Sequence, residues 1–117
     1  MVPYILNLAD YYKGDGWDGM TIGPITPIPT YACVSCRMHF RDPETLALGY
    51  ALSDTPTLTE GTITITDDGT YEFDIPRQVL GLTAGTWEYD FETTDTEGIP
   101  TTWFRGKLKV IQDKSYG

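Results

Sequence analysis

Apolar and polar residues alternate along much of the chain, and turn residues interrupt the alternation at short intervals. Successive side chains of a strand point to opposite faces, so a period of two predicts a strand with one buried face. The clearest run is residues 30–41, whose apolar face comprises Ala32, Val34, Cys36, Met38 and Phe40. The opposite face of this strand carries Tyr31, Cys33, Ser35, Arg37, His39 and Arg41.

Further runs have strand-like composition, rich in Thr, Tyr, Ile, Val, Trp and Phe, and they cover residues 4–12, 17–22, 62–66, 70–75, 86–94 and 101–111. Residues 46–52 fit either a weak strand or a short helical turn, and residues 76–82 fit a bend or a single helical turn that places Leu80 and Leu82 in the core. Short strands separated by frequent turns predict an all-β fold, namely an immunoglobulin-like antiparallel β-sandwich of about seven strands.

Two hairpins and one crossing connect these runs. Asp67-Asp68-Gly69 and the turn at residues 95–98 are hairpin signals, because Asp and Gly tolerate turn conformations. The proline-rich residues 23–29 suit an edge or a crossing between sheets. The alternation in residues 101–111 predicts four outward side chains: Trp103, Arg105, Lys107 and Lys109. Lysine and arginine on the exposed face of a final strand also protect a sheet edge from unwanted pairing.

Length and charge restrict the domain count and the partners. A chain of 117 residues fits one domain, residues 1–117, with short flexible termini. Eight Lys and Arg against 17 Asp and Glu give a formal charge of −9, which disfavours nucleic acid as a partner. The first ten residues lack a basic leader and no stretch approaches the ~20 apolar residues of a membrane span, so we expect synthesis in a cytoplasm and no membrane partner.

The sequence offers no combination of residues typical of an enzyme. Cys33 and Cys36 form a C-x-x-C pattern, but within a strand their Cα atoms would lie roughly 10 Å apart, beyond the roughly 7 Å of a disulfide. We therefore predict reduced structural cysteines, with Cys36 buried. His39 is the single histidine and has no orienting partner that the sequence identifies. We expect no catalytic residue, no metal and no cofactor.

Two features leave binding alternatives open. Asp15 and Asp18 in the segment 14–19 could hold calcium, although the further acids of a calcium loop are missing and a glycine-rich turn is the simpler interpretation. Aromatic side chains expected on an outer surface could contact a protein or a sugar. The candidate contact surface predicted from the sequence comprises Tyr31, His39, Trp103 and Arg105.

The order of several short motifs resembles a known family. These are Lys13-Gly14-Asp15 followed by Trp17, the segment 82–91 (LTAGTWEYDF), the segment 98–102 (GIPTT) and the segment 106–110 (GKLKV). Together they cover most of the chain, and they resemble small immunoglobulin-like structural proteins of tailed bacteriophages, similar to the N-terminal domain of the phage baseplate upper protein. In that pattern, an aromatic strand, an acidic-glycine turn and a final alternating strand close the sandwich.

The resemblance implies a structural subunit of a tailed-phage virion, located in the tail, in the baseplate or as an accessory or decoration subunit on the head. Its partners would be other virion proteins, and it would form a homo-oligomer or a symmetric assembly after synthesis in the host cytoplasm. The alternative from another class is a carbohydrate-binding or adhesion module, suggested by the aromatic residues and the acidic loops.

Overall fold

The computed structural model describes residues 4–25, 33–67 and 71–112, which form strands and no helix. The all-β prediction is therefore confirmed. The strands are β1 Tyr4–Ile5, β2 Tyr11–Tyr12, β3 Gly16–Trp17, β4 Met20–Ile25, β5 Cys33–Arg41, β6 Leu48–Ser53, β7 Gly61–Thr62, β8 Thr64–Asp67, β9 Tyr71–Ile75, β10 Gln78–Val79, β11 Gly85–Asp95 and β12 Pro100–Ile111.

The large sheet has seven strands in the order β1-β12-β11-β5-β6-β7, with β2 also paired to β12, and it curls into a half-barrel. Its centre is antiparallel, but β1 and β2 both run parallel to β12, and β7 runs parallel to β6. The sheet is thus mixed rather than purely antiparallel as predicted. Strand β12 is also an interior strand, since β11 flanks one side and β1 and β2 flank the other.

A three-stranded sheet, β4-β9-β8, contributes to the same core as the large sheet. Phe73 of β9 meets Phe91 of β11 edge to face, with ring centroids 5.1 Å apart. Phe91 in turn stacks on Phe104 of its own sheet at 5.2 Å, so the ring of Phe73 joins the smaller sheet to an aromatic pair of the large one. The most completely buried large side chains come from both sheets and from their connections: Phe40, Phe73, Phe91, Met38, Leu52, Ile63, Leu80 and Leu108.

The N-terminal segment binds along β12 by backbone hydrogen bonds. The Leu6 and Leu8 amides donate to the carbonyls of Arg105 and Lys107 at 2.8 and 2.9 Å. The Tyr89 hydroxyl donates to the Leu6 carbonyl at 2.5 Å. This close approach requires a glycine at position 106, since a Cβ there would lie 1.8 Å from the Leu6 carbonyl oxygen.

Several local predictions have clear outcomes. Residues 46–52, ambiguous by periodicity, contribute strand β6. Residues 76–82 contain β10 and no helical turn, while Leu80 and Leu82 are buried as expected. The run 17–22 divides between β3 of a two-stranded sheet with β10 and β4 of the three-stranded sheet. Cys36 is buried, as predicted, whereas the side chain of Cys33 lies outside the described part of the chain.

Candidate contact surface

Three neighbouring strands of the large sheet expose a patterned set of charges. In the register of β5, β11 and β12, Asp90 lies between His39 and Arg105, and Glu88 lies between Arg41 and Lys107. An acidic row on β11 therefore runs between basic rows on both neighbours. We call this surface the charged face and define it as Arg37, His39, Arg41, Glu88, Asp90, Glu92, Arg105, Lys107 and Lys109.

Direct side-chain bonds order the β5 side of the charged face. The Arg37 guanidinium contacts Glu92 Oε1 through Nε at 2.8 Å and through Nη2 at 2.6 Å. Arg41 Nη2 lies 3.1 Å from His39 Nδ1, and Arg41 Nη1 donates to the Leu46 carbonyl at 3.2 Å. Arginine forks held by two acceptors lose less freedom on binding a partner, so this part of the surface is preorganised.

His39 and Asp90 titrate abnormally in the middle row. Burial lowers the pKa of His39 below 6.5, and the positive charges of Arg37 and Arg41 act in the same direction. Burial also raises the pKa of Asp90, although His39 and both arginines oppose the shift. Both pKa shifts favour the neutral forms, because partial burial removes some of the water around these two groups.

Strand β12 contributes three exposed cations at alternate positions. Arg105, Lys107 and Lys109 form no ion pair or side-chain hydrogen bond among the described residues, although Arg105 and Lys107 have acids directly opposite on β11. A shallow cavity of about 300 Å³ lies beside them and is lined by Ile5, Asn7 and the backbone around Gly106. We call these three residues the cationic strip.

The structure brings two of the four predicted contact residues together. His39 and Arg105 lie in one row on either side of Asp90, whereas Tyr31 lies outside the described residues. The prediction that Trp103 points outward is wrong. Phe91 pairs with Phe104 and Glu92 with Thr102, so Trp103 is the extra residue of a β-bulge. Its ring packs against the core, and its Nε1 donates to Thr93 Oγ1 at 2.8 Å.

Sequence reasoning missed a groove beside the N-terminal segment. A cavity of about 400 Å³ is lined by residues 6–12 and 15–20, including Tyr12, Trp17 and three carboxylates. Tyr12 is 50% exposed, and Trp17 is half-buried. We call this cavity the acidic groove and define it by Asp10, Asp15, Asp18, Tyr12 and Trp17. The available signal was the spacing of aspartates and aromatics over the nine residues 10–18, of which Asp15 and Asp18 were considered only as calcium ligands.

Hydrogen bonds fix one wall of the acidic groove. The buried Tyr11 hydroxyl donates to the Asp15 carbonyl at 2.5 Å and accepts from the Leu80 amide at 3.1 Å. Asp18 lies 3.6 Å from Arg77 in an exposed pair. Within the described part of the chain, no three His, Cys, Asp or Glu side chains are arranged to hold a metal ion, so the calcium alternative gains no further ligand.

Comparison of the chain with models of protein families and with curated proteins finds no match. Helices long and apolar enough to cross a bilayer are absent from residues 4–25, 33–67 and 71–112.

Proposed function

We propose that this protein is a non-enzymatic structural component of a tailed-phage virion that acts through protein–protein contacts. The observation that carries the proposal is the charged face, a sheet surface on which acidic and basic rows alternate across three strands. Alternating rows give a partner a fixed register, because a shift by one strand would place like charges together. The resemblance of segments 82–91, 98–102 and 106–110 to phage structural proteins supplies the class of assembly.

The same proposal includes an immunoglobulin-like sandwich. Two sheets contribute to one core through contacts such as Phe73 with Phe91, and Greek-key sandwiches are built in this way. One side of the central strands of the large sheet packs on the core shared with the three-stranded sheet, and the other side of these strands is the charged face. Such a module presents a broad surface for neighbours without needing a pocket.

Quantitative mass spectrometry of purified phage particles tests the proposed role. Particles produced by the phage that encodes the chain should contain it at a fixed copy number, comparable with that of other tail, baseplate or head-surface proteins. Disruption of the gene should yield particles that lack a defined component or fail to assemble. Complete particles that contain no copy of the chain would refute the proposal.

The acidic groove favours a second candidate function, a carbohydrate-binding or adhesion module. Aromatic rings such as Tyr12 and Trp17 can stack on sugar rings, and carboxylates accept hydrogen bonds from hydroxyl groups. Glycan-array binding that is lost in Trp17→Ala but kept in Trp103→Ala would support this function, since both side chains pack against the core and only Trp17 lines the groove. Absence of binding to all glycans on the array would argue against it.

A further inference from the structure

Charge is strongly segregated between the charged face and the rest of the sequence. The charged face carries five Lys or Arg side chains and three carboxylates, a formal charge of +2 with His39 neutral. The remaining sequence carries three Lys or Arg and 14 Asp or Glu, a formal charge of −11. A protein with this distribution repels copies of itself at long range, but it holds locally complementary surfaces at short range.

The three cations of the cationic strip form no ion pair and no side-chain hydrogen bond among the described residues. Alternate residues of a strand are spaced by roughly 6.5–7 Å, so Arg105, Lys107 and Lys109 present three cations along about 13 Å. All three side chains are exposed. Among the described residues the ion pairs are Arg37–Glu92 and Arg77–Asp18, so no strip cation contacts a groove carboxylate within its own copy.

The acidic groove has the complementary chemistry. Its three carboxylates are opposite in sign to the strip cations; Asp10 and Asp15 form no ion pair among the described residues, and Asp18 lies 3.6 Å from Arg77 in an exposed pair. Tyr12 and Trp17 can cover the aliphatic stems of lysine and arginine and attract their charged ends through the ring faces. The cavity of about 400 Å³ lies within the size range of pockets that enclose small ligands, roughly 300–1,000 Å³, so it can receive side chains from a strand.

We propose that copies of this chain bind one another, with the cationic strip of one copy seated in the acidic groove of the next. This inference rests on the proposed structural role, since it names one partner in the assembly. The two surfaces are different parts of the chain, so the contact is heterologous when each copy gives its strip to one neighbour and its groove to another. Repetition of a heterologous contact gives a closed ring if the rotation closes and a filament otherwise.

Charge reversal of each surface tests the contact on the full chain. Lys107→Glu changes the strip and takes the formal charge from −9 to −11, whereas Asp15→Lys changes the groove and takes it to −7. Sedimentation velocity over a concentration series should show assembly of the wild type and monomers for each variant. The loss of assembly in Asp15→Lys is informative because this variant carries less net charge than the wild type and repels its copies less. General charge repulsion therefore does not explain that loss.

The matched control for Lys107→Glu is the double variant Thr83→Glu and Thr96→Glu, which also has a formal charge of −11. Both threonines are exposed and lie outside the strip and the groove. This control should assemble like the wild type. Circular dichroism should show the same β-sheet spectrum for all variants, so that a loss of assembly is not a loss of fold.

Mixing the two single variants gives the decisive measurement. Each is expected to be monomeric alone, but a 1:1 mixture should assemble, because the reversed strip fits the reversed groove and the native pair remains available.

A wild type that stays monomeric at every soluble concentration would overturn the inference, as would assembly that both substitutions leave unchanged. An oligosaccharide that shifts the groove resonances of such a monomer would assign the groove to glycans instead. The particle measurement is independent, so either proposal can fail alone.

Discussion

Leu46 combines an exposed apolar side chain with an unfavourable backbone. Its φ is 63°, in the left-handed region, and its side chain is 63% exposed. The turn fixes this geometry, since the Leu46 amide donates to the Asp42 carbonyl at 2.8 Å and its own carbonyl accepts from Arg41. The left-handed conformation costs a residue with a Cβ about 1–2 kcal/mol.

Replacement of Leu46 by glycine is expected to raise the free energy of unfolding by roughly 0.5–1 kcal/mol, because relief of the backbone exceeds the entropy that glycine adds to the unfolded chain. Leu46→Ala keeps the strained backbone and should give no such gain. Urea titrations of both variants measure the difference. Equal stability of the glycine and alanine variants would contradict this explanation.

His39 should make stability depend on pH. Its folded pKa lies below the unfolded value of 6.5, so the unfolded chain binds more protons in that interval. The stabilisation is therefore complete above pH 6.5 and is lost as the pH falls through the folded pKa. Arg37 and Arg41 disfavour the imidazolium while Asp90 and Glu92 favour it, and burial makes the largest contribution.

Urea titrations across pH 4–8 of the wild type and His39→Gln should isolate this effect. The wild type should lose stability relative to the variant as the pH falls below 6.5. Asp90 contributes with the opposite sign, because its folded pKa is raised; His39 opposes that shift, so its removal raises the pKa of Asp90 further and adds to the expected difference. A constant difference between the two proteins over this range would show that His39 titrates normally.

At the scale of elements, the β11–β12 hairpin depends on one carboxylate. Asp95 Oδ1 accepts from the amides of Glu97 and Ile99 at 2.8 and 3.0 Å. The Asp95 backbone also pairs with Ile99, which closes the turn. Such local side-chain hydrogen bonds stabilise a turn at a small cost in conformational entropy, because the donor and acceptor are neighbours in sequence.

Asp95→Ala should lower the free energy of unfolding by about 1–2 kcal/mol, because two backbone amides lose a charged acceptor. Asp95→Asn retains an acceptor oxygen and should recover at least half of the loss. Thermal unfolding of the three proteins gives the comparison. If the alanine variant matches the wild type, the turn does not depend on these bonds.

Local sequence patterns predicted the elements better than their pairings. The alternation of Met38, Phe40 and Phe91 identified the central strands and their buried faces, since period-two patterns report burial directly. The turn at Asp67-Asp68-Gly69 falls partly outside the described residues. Parallel pairing of β1 and β2 with β12 was missed, because no local signal links residues so distant in sequence.

For the candidate site too, the sequence predicted the faces of single strands better than the arrangement of several segments in space. His39 and Arg105 were predicted on outer faces, and the cross-strand register confirms that they share one side of the sheet. The prediction for Trp103 failed because Trp103 is the extra residue of the bulge and leaves the alternation, which the residues from Phe104 onward follow. The acidic groove was invisible to a strand-by-strand reading, since its walls combine the N-terminal segment with the loop around Gly19.

At the scale of the whole molecule, Gly106 joins the N-terminal segment to the sheet. Gly106→Ala places a Cβ against the Leu6 backbone and should cost about 1–3 kcal/mol, because backbone atoms must move. Gly81→Ala is the control, since its Cβ would lie 3.1 Å from the Tyr50 ring and needs a smaller adjustment. Urea titration compares the two. Equal losses would mean that the segment adapts freely.

Hydrogen exchange adds a readout specific to this contact. In Gly106→Ala, the amides of Leu6 and Leu8 should lose protection, because their acceptors on β12 move away. The amides of β5 and β11 should keep theirs. Loss of protection throughout the sheet would instead indicate general destabilisation.

The parallel pairing of the first strand with the last also has a consequence during synthesis. Asn7 accepts from the amide of Lys107 across a separation of 100 residues. At roughly 5–20 residues per second, a ribosome needs on the order of 5–20 s to make the intervening chain. The first strand must therefore wait, unpaired, until β12 has emerged from the exit tunnel, and its own backbone hydrogen-bonding groups stay open to other nascent chains until then.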